Sequence, residues 1–248
     1  MSSAGHLAIY TPRGTAVGPL DADHLIARFV QGAVLAKSVW CVSGPTGLAR
    51  VDSPTGSGRE ALLVWSAHHE ASRWADVLTE DPELLDIDLP AFMTETLANA
   101  AIVGGVVAPD WSSDPIEPEV EPQRVLALLQ QALVRDFVSV ALKTRSLFVL
   151  QSLDRVMPIT VVDGHSEVVP VWTDRAMAEA AAQQVDGLAL PVRVPLAEFT
   201  GRYLLSATGV RARIAPGYVH VGGALSFSTW EFKALLNGGG TPTELRVA

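Results

Sequence analysis

One spacing constrains this chain more than any other feature. Val64-Trp65 recurs as Val171-Trp172, an offset of 107 residues. Carried downstream, the offset lays Ile87 through Phe92 onto Val194 through Phe199, Leu97 onto Leu204, Val103 onto Val210, Val107-Ala108-Pro109 onto Ile214-Ala215-Pro216, and Trp111 onto Tyr218. Upstream it becomes 108: Phe29-Val30 falls on Phe137-Val138, and Ser38-Val39-Trp40 on Ser146-Leu147-Phe148. The slip lies between Val42 and Val64, among turns containing Gly and Pro, where an insertion disturbs little packing. The matched positions are mainly apolar, so the two segments share a core pattern rather than a surface. Such an internal repeat reads as one supersecondary unit present twice.

The local patterns predict an α+β fold, two tandem copies of an α-β-β-α-β-α-β module. Val125, Leu128, Leu129, Ala132 and Leu133 have the spacing of one buried helix face and open the second copy. A further helical stretch near 136–142 continues it. Residues 21–34 open the first copy, with Asp21 or Asp23 as N-cap. Strands are expected at 38–42 and 146–151 and at 61–65 and 168–172, joined as hairpins. Ser66 and Thr173 then stand where N-caps belong. A third strand (85–89, 191–194), a helix (90–98, 196–205) and a fourth strand (102–108, 210–215) complete each copy. The first module thus spans 1–108, with a candidate extra strand at 7–11. Residues 109–122, with four prolines and five acids, read as a linker. The second module spans 123–248 and adds a segment at 218–221, a helix at 228–236 and a strand near 244–247.

Hydrophobic residues make up 48% of the 248, enough for a core in each half. The single cysteine, Cys41, excludes an intramolecular disulfide framework and a cysteine-built zinc site. The N-terminus has no basic region followed by an apolar run. Apolar stretches such as 100–108 fall short of the roughly 20 residues of a spanning helix. These features predict a cytoplasmic protein without a membrane partner. The net charge of −9 is divided unequally: residues 1–122 hold 6 Lys and Arg against 17 Asp and Glu, and residues 123–248 hold 12 against 10. A half carrying −11 repels phosphate backbones, which argues against nucleic acid, and suits a basic protein.

Leu63-Val64-Trp65-Ser66 with Ala71 and Trp74, followed by Ile87-x-Leu89-x-x-Phe92, resembles the bacterial domain of unknown function family numbered 2750. Pro170-Val171-Trp172-Thr173-Asp174-Arg175 with Ala178, then Val194-x-Leu196-x-x-Phe199, repeats the pattern. The resemblance covers about residues 25–110 and 133–236. Copy one departs from it, with Ala67 and His68 where copy two has Asp174 and Arg175. The segment 170–178 is also similar to the secretion-enhancer SseB family. Neither resemblance implies catalytic residues or a cofactor.

The polar motifs point the same way. His68-His69-Glu70 lacks the H-E-x-x-H spacing of a zinc helix and has Arg175-Ala176-Met177 as its counterpart, so a solvated first helical turn is expected. Residues 56–61 spell G-x-G-x-x-A, but a strand follows where a dinucleotide site needs a helix. Cys41 lies in an apolar strand, as a buried small hydrophobe would. Arg211 and Arg213 alternate as on one face of a strand. Trp65 and Trp172 occupy equivalent strand ends, as core residues or cleft aromatics. The acidic run Glu80, Asp81, Glu83, Asp86 and Asp88 has only Asp186 near its equivalent place, and is the candidate partner surface. No nucleophile, base and orienting group recur together. The expectation is a non-catalytic protein-binding module, an adaptor or immunity-type protein, with no cofactor and no metal. The alternative is a small-molecule sensor or enzyme using a cleft between the modules.

Overall fold

The computed structural model describes residues 22–53, 58–112, 118–152, 158–163, 166–185, 189–217 and 225–238. The strands expected at 7–11 and 244–247, the segment 218–221 and the N-cap Asp21 lie outside them. The first half runs α1 (Ala22–Ala36), β1 (Ser38–Gly44), β2 (Gly47–Leu48), β3 (Arg50–Asp52), β4 (Glu60–Val64), α2 (His68–Leu78), β5 (Glu83–Asp88), a helix of three segments, and β6 (Val106–Pro109). The three segments are α3 (Leu89–Ala91), π1 (Phe92–Thr96) and α4 (Leu97–Ile102). After α5 (Pro122–Thr144) come β7 (Ser146–Ser152), β8 (Val161–Asp163), β9 (Ser166–Trp172), α6 (Arg175–Gln184) and β10 (Ala189–Pro195). Then follow α7 (Leu196–Glu198), π2 (Phe199–Tyr203), α8 (Leu204–Gly209), β11 (Arg213–Pro216) and α9 (Thr229–Leu236). Helices and mixed sheets alternate throughout, and the fold is α+β.

The first half builds two three-stranded sheets, β2-β1-β5 and β3-β4-β6, bridged at Trp40 and Trp65, and the second half one five-stranded sheet; helices cover both faces, and the central strand shows why. Along β4, Leu62 and Val64 enter the core beneath α1, while Ala61 and Leu63 enter the core beneath α2. Period-two alternation of apolar residues on both faces makes a strand that can only be stable between two layers. β9 does the same, with Val169 and Val171 on one side and Val168 and Trp172 on the other. β4 is parallel to β6, and β9 to β11; β1 is antiparallel to β5, and β7 to β10.

Fine details fall at corresponding places. Lys37 and Arg145 end their helices with φ of 60° and 52°, and their carbonyls accept the Leu89 and Leu196 N–H at 2.9 Å. Each of the two three-segment helices is interrupted by a five-residue π segment that opens on a fully buried phenylalanine, Phe92 or Phe199. Val107 bridges to Val120 as Ile214 bridges to Phe227.

Several expectations are corrected. Val125, Leu128, Leu129, Ala132 and Leu133 pack in the core of the first half, with Ile26, Phe29 and Ala33 of α1. The second-half core takes the other end of the same helix, through Val134, Phe137 and Ala141. One unbroken 23-residue helix therefore serves two cores, and position 123 is no boundary. The helix at 229–236 is no addition either: Phe232 and Leu236 fill the second core at the offset-107 positions of Val125 and Leu129. The stretch 109–122 is not all linker, since Asp110 and Val120 are buried and Pro122 begins α5. α5 is also long and apolar enough to cross a membrane, contrary to the sequence estimate; here it lies between two protein cores. Ile102 ends a helix rather than starting a strand. The N-caps are Ala67 and Asp174, not Ser66 and Thr173, and only Asp174 bonds the first turn through its side chain.

Candidate functional site

The acidic run lies along an edge. β5 pairs with β1 on one side, and among the described residues no strand covers the other. Glu83, Asp86 and Asp88 are exposed on this strand, with Glu80 and Asp81 exposed in the turn before it. Alternation puts Asp86 and Asp88 on one face and Glu83 on the other, so the five carboxylates form a rim rather than a flat patch. Charges on a free edge discourage indiscriminate strand pairing. In β10, Arg193 stands at the place of Asp86 and donates to Ser146 Oγ at 2.9 Å.

A cleft opens a few residues away. β1 and β4 meet at Trp40 and Trp65, whose backbones exchange hydrogen bonds of 2.8 and 2.9 Å. Beyond that point they separate, because β2 and β3 come between them. Ala49 is the apex: its N–H donates to the Val42 carbonyl at 2.8 Å and its carbonyl accepts the Leu63 N–H at 3.2 Å. β2 follows β1 outward on one side and β3 follows β4 on the other, so the expected single hairpin is two hairpins splayed as a V. The space between the arms is about 620 Å³ and is lined by Leu48, Arg50, Glu60 and Leu62 of the arms, with Thr79 after α2 and Asn99 of α4 closing its flanks. Gly44 has no Cβ where one would collide with the Thr79 side chain, which lets the end of α2 close on the hairpin. The second half repeats the apex, with Ile159 N–H on the Leu150 carbonyl at 2.7 Å. There Pro170 stands in the place of Leu63 and has no N–H to give. The pocket beside Leu150 and Trp172 holds only about 20 Å³.

Trp65 and Trp172 are core residues, 0% and 1% exposed. Trp65 Nε1 donates to the Trp111 carbonyl at 2.8 Å, and Trp111 meets Trp74 edge-on at 4.8 Å. Beside them lies a polar cluster that sequence reading missed. The Asp110 carboxylate, 4% exposed, accepts from Ser66 N–H at 2.7 Å, Ser66 Oγ at 3.2 Å and Arg28 Nε at 3.3 Å. Asp110 adopts φ of 49°, where its offset-107 partner is Gly217 with φ of 63°. That exchange of glycine for an acid at a left-handed position was the one visible signal. Gly32 belongs to the same junction, since a Cβ there would come within 2.7 Å of Ser66 Cβ and Oγ.

The remaining motifs are placed by their neighbours. His68 lies edge-on to Trp40 at 4.6 Å, and His69 Nε2 is 3.3 Å from Glu70. Of the G-x-G-x-x-A motif, residues 56 and 57 lie outside the described residues, and Ala61 is in strand β4. Its Arg59 clamps the carbonyls of Gly104 and Gly105 and the Glu121 carboxylate, which that hydrogen bond holds below its ordinary range. Burial pushes the Cys41 thiol up to about 12, so it is a packing residue rather than a nucleophile. Arg211 and Arg213 do not share a strand face: Arg211 precedes β11 with φ of 57°, and Arg213 is bonded to Ser226.

The fold and these sites define an α+β chain with a large cleft in its first half. Residues 26–129 match the family described as "Protein of unknown function (DUF2750)". The match begins and ends on two residues buried in the same core, Ile26 and Leu129. No curated protein matches the chain. Among solved structures it is similar to Anabaena Tic22, a protein of protein transport, at 12% identity over 69% of this chain and 83% of that one, with a TM-score of 0.23. It is similar to Tic22 from Plasmodium falciparum at 8% identity over 87% and 98%, also with a TM-score of 0.23. At such scores neither bears on function.

Proposed function

We propose that the chain is a non-catalytic protein-binding module of a bacterial cytoplasm, an adaptor or immunity-type protein. In this reading it is two copies of one α+β unit, of which the acidic first copy meets a basic partner. The recurrence of Lys37 as Arg145, π1 as π2 and α5 as α9 supports descent from one unit. The observation that carries the function is the free edge of β5 with its exposed carboxylates, where the second half has no comparable acids. Charge of one sign along an edge steers an oppositely charged partner and makes association sensitive to salt. A variant with Glu80, Asp81, Glu83, Asp86 and Asp88 changed to Gln or Asn should remain folded, as exposed charges each matter within about 0.5 kcal/mol. It should lose the proteins that the wild-type chain captures from its source cell. Unchanged capture by this variant would rule the surface out.

The V-shaped cleft favours a second reading, a small-molecule sensor, because ligand pockets typically enclose about 300–1,000 Å³. It lies within the first half and not between two modules. A saturable shift in melting temperature with a metabolite panel, abolished by filling the cleft, would favour this reading.

A further inference from the structure

We infer that the V between β2 and β3 is the seat of an extended, basic peptide segment of a protein partner, which would complete the sheet between β1 and β4. The inference rests on the protein-binding reading above and gives it a site distinct from the β5 rim. The backbone carries it. Gly44 and Gly47 close the β1–β2 hairpin and Ala49 bonds Val42, so antiparallel alternation turns the N–H and C=O of Leu48 away from β1. On the other arm Ala49 bonds Leu63 and Ser53 bonds Arg59, so the same alternation turns those of Arg50 and Asp52 away from β4. Both sets face the gap, and among the described residues no strand pairs with either. Two facing edges with space between them are what a strand needs to add itself to a sheet.

Charge selects the occupant. The exposed acids Asp52, Glu80 and Glu95 stand close to the residues that line the cleft. Arg50 and Glu60 of the lining neutralise each other at 3.2 Å, which leaves the neighbouring acids uncompensated by the lining. A segment alternating Lys or Arg with β-branched residues would meet the rim with its charges and the floor at Leu48 and Leu62 with its apolar side chains.

The test uses the full chain and a fluorescein-labelled peptide of alternating Lys and Val, six residues long. Binding is read by anisotropy, and amide hydrogen exchange is followed with and without peptide. The expected result is saturable binding that slows exchange at Leu48, Arg50 and Asp52. Affinity should fall at least tenfold when every second peptide nitrogen is methylated, which removes edge donors and leaves the charge. Asn99→Trp, at an exposed lining position, should weaken binding by a similar factor without moving the melting temperature. Absence of binding, binding that leaves those three amides unprotected, or equal binding of the methylated peptide would each overturn the inference. Equal binding of a Glu-Val peptide would overturn the basic occupant. A β5 variant that changes Asp81, Glu83, Asp86 and Asp88 but keeps Glu80 should keep the amide protection, so failure at the rim and failure at the cleft are separately visible.

Discussion

Leu129 and Val134 are five residues apart on one continuous helix, α5, yet they are buried in different hydrophobic cores. At 1.5 Å per residue the change of core takes place within about 8 Å of helix. The two halves are therefore joined by the most rigid element available rather than by a flexible connection.

Removing either side of that joint should be felt. Leu129→Ala deletes a fully buried side chain and should cost about 2–5 kcal/mol, measured by urea unfolding. Gln131→Pro, placed between the two cores, should cost about 3 kcal/mol or more and bend the helix. The informative measurement on Gln131→Pro is hydrogen exchange on β4 and β9 through the transition. The two strands should lose protection together in the wild type and separately in the variant. Joint loss in both would mean that other contacts couple the halves.

The helices α2 and α6 offer a paired experiment. Asp174 caps α6 by accepting from Ala176 and Met177 N–H, while Ala67 caps α2 with suitable backbone angles and no side-chain acceptor. Ala67→Asp should stabilise the protein by about 1 kcal/mol, and Asp174→Ala should destabilise it by a similar amount. A neutral Ala67→Asp would mean that its side chain is drawn to a partner other than the first-turn N–H groups of α2.

Asp110 makes opposing demands on its position. Its carboxylate satisfies Ser66, but its φ favours glycine. Asp110→Ala keeps the strain and orphans the Ser66 N–H, so a loss of about 1–3 kcal/mol is expected. Asp110→Gly, the residue found at position 217, should cost less. Thermal melts of the two variants give the order, and Gly below Ala would refute it. Arg28→Ala should change little, since its side chain is 56% exposed.

The Arg59–Glu121 clamp gives a pH signature. Glu121 titrates below its ordinary value because Arg59 donates to it. A carboxylate depressed in the folded state stabilises above its unfolded value of about 4.3 and loses that contribution as pH falls through the folded one. Glu121→Gln should therefore be less stable than wild type at pH 7, with the gap closing between that unfolded value and the lower folded one. A gap that persists in acid would assign the effect to packing.

How much of this was legible depended on whether a residue's role is periodic. Val64, Trp65, Phe92 and their offset partners announce core positions, because burial repeats with the period of strand or helix. The α+β class followed from them. The joint within α5 was not legible, because Leu128, Ala132 and Leu133 continue one apolar spacing past the point where the partner core changes. The V was hidden for another reason: β2 and β3 have two and three residues, too few for alternation to register. Asp110 sat in a stretch dominated by Pro and acids, and composition argued for solvent where geometry supplied Ser66 and Arg28.

The shared helix also limits how such chains can recombine. An exchange of halves between relatives has to be spliced inside α5, in phase with its turn. A joint that gains or loses one residue rotates everything after it by about 100°. Val134, Phe137 and Ala141 would then point away from the sheet they now cover. Recombinants that survive should therefore preserve the count of residues between Leu129 and Val134, whatever else they change.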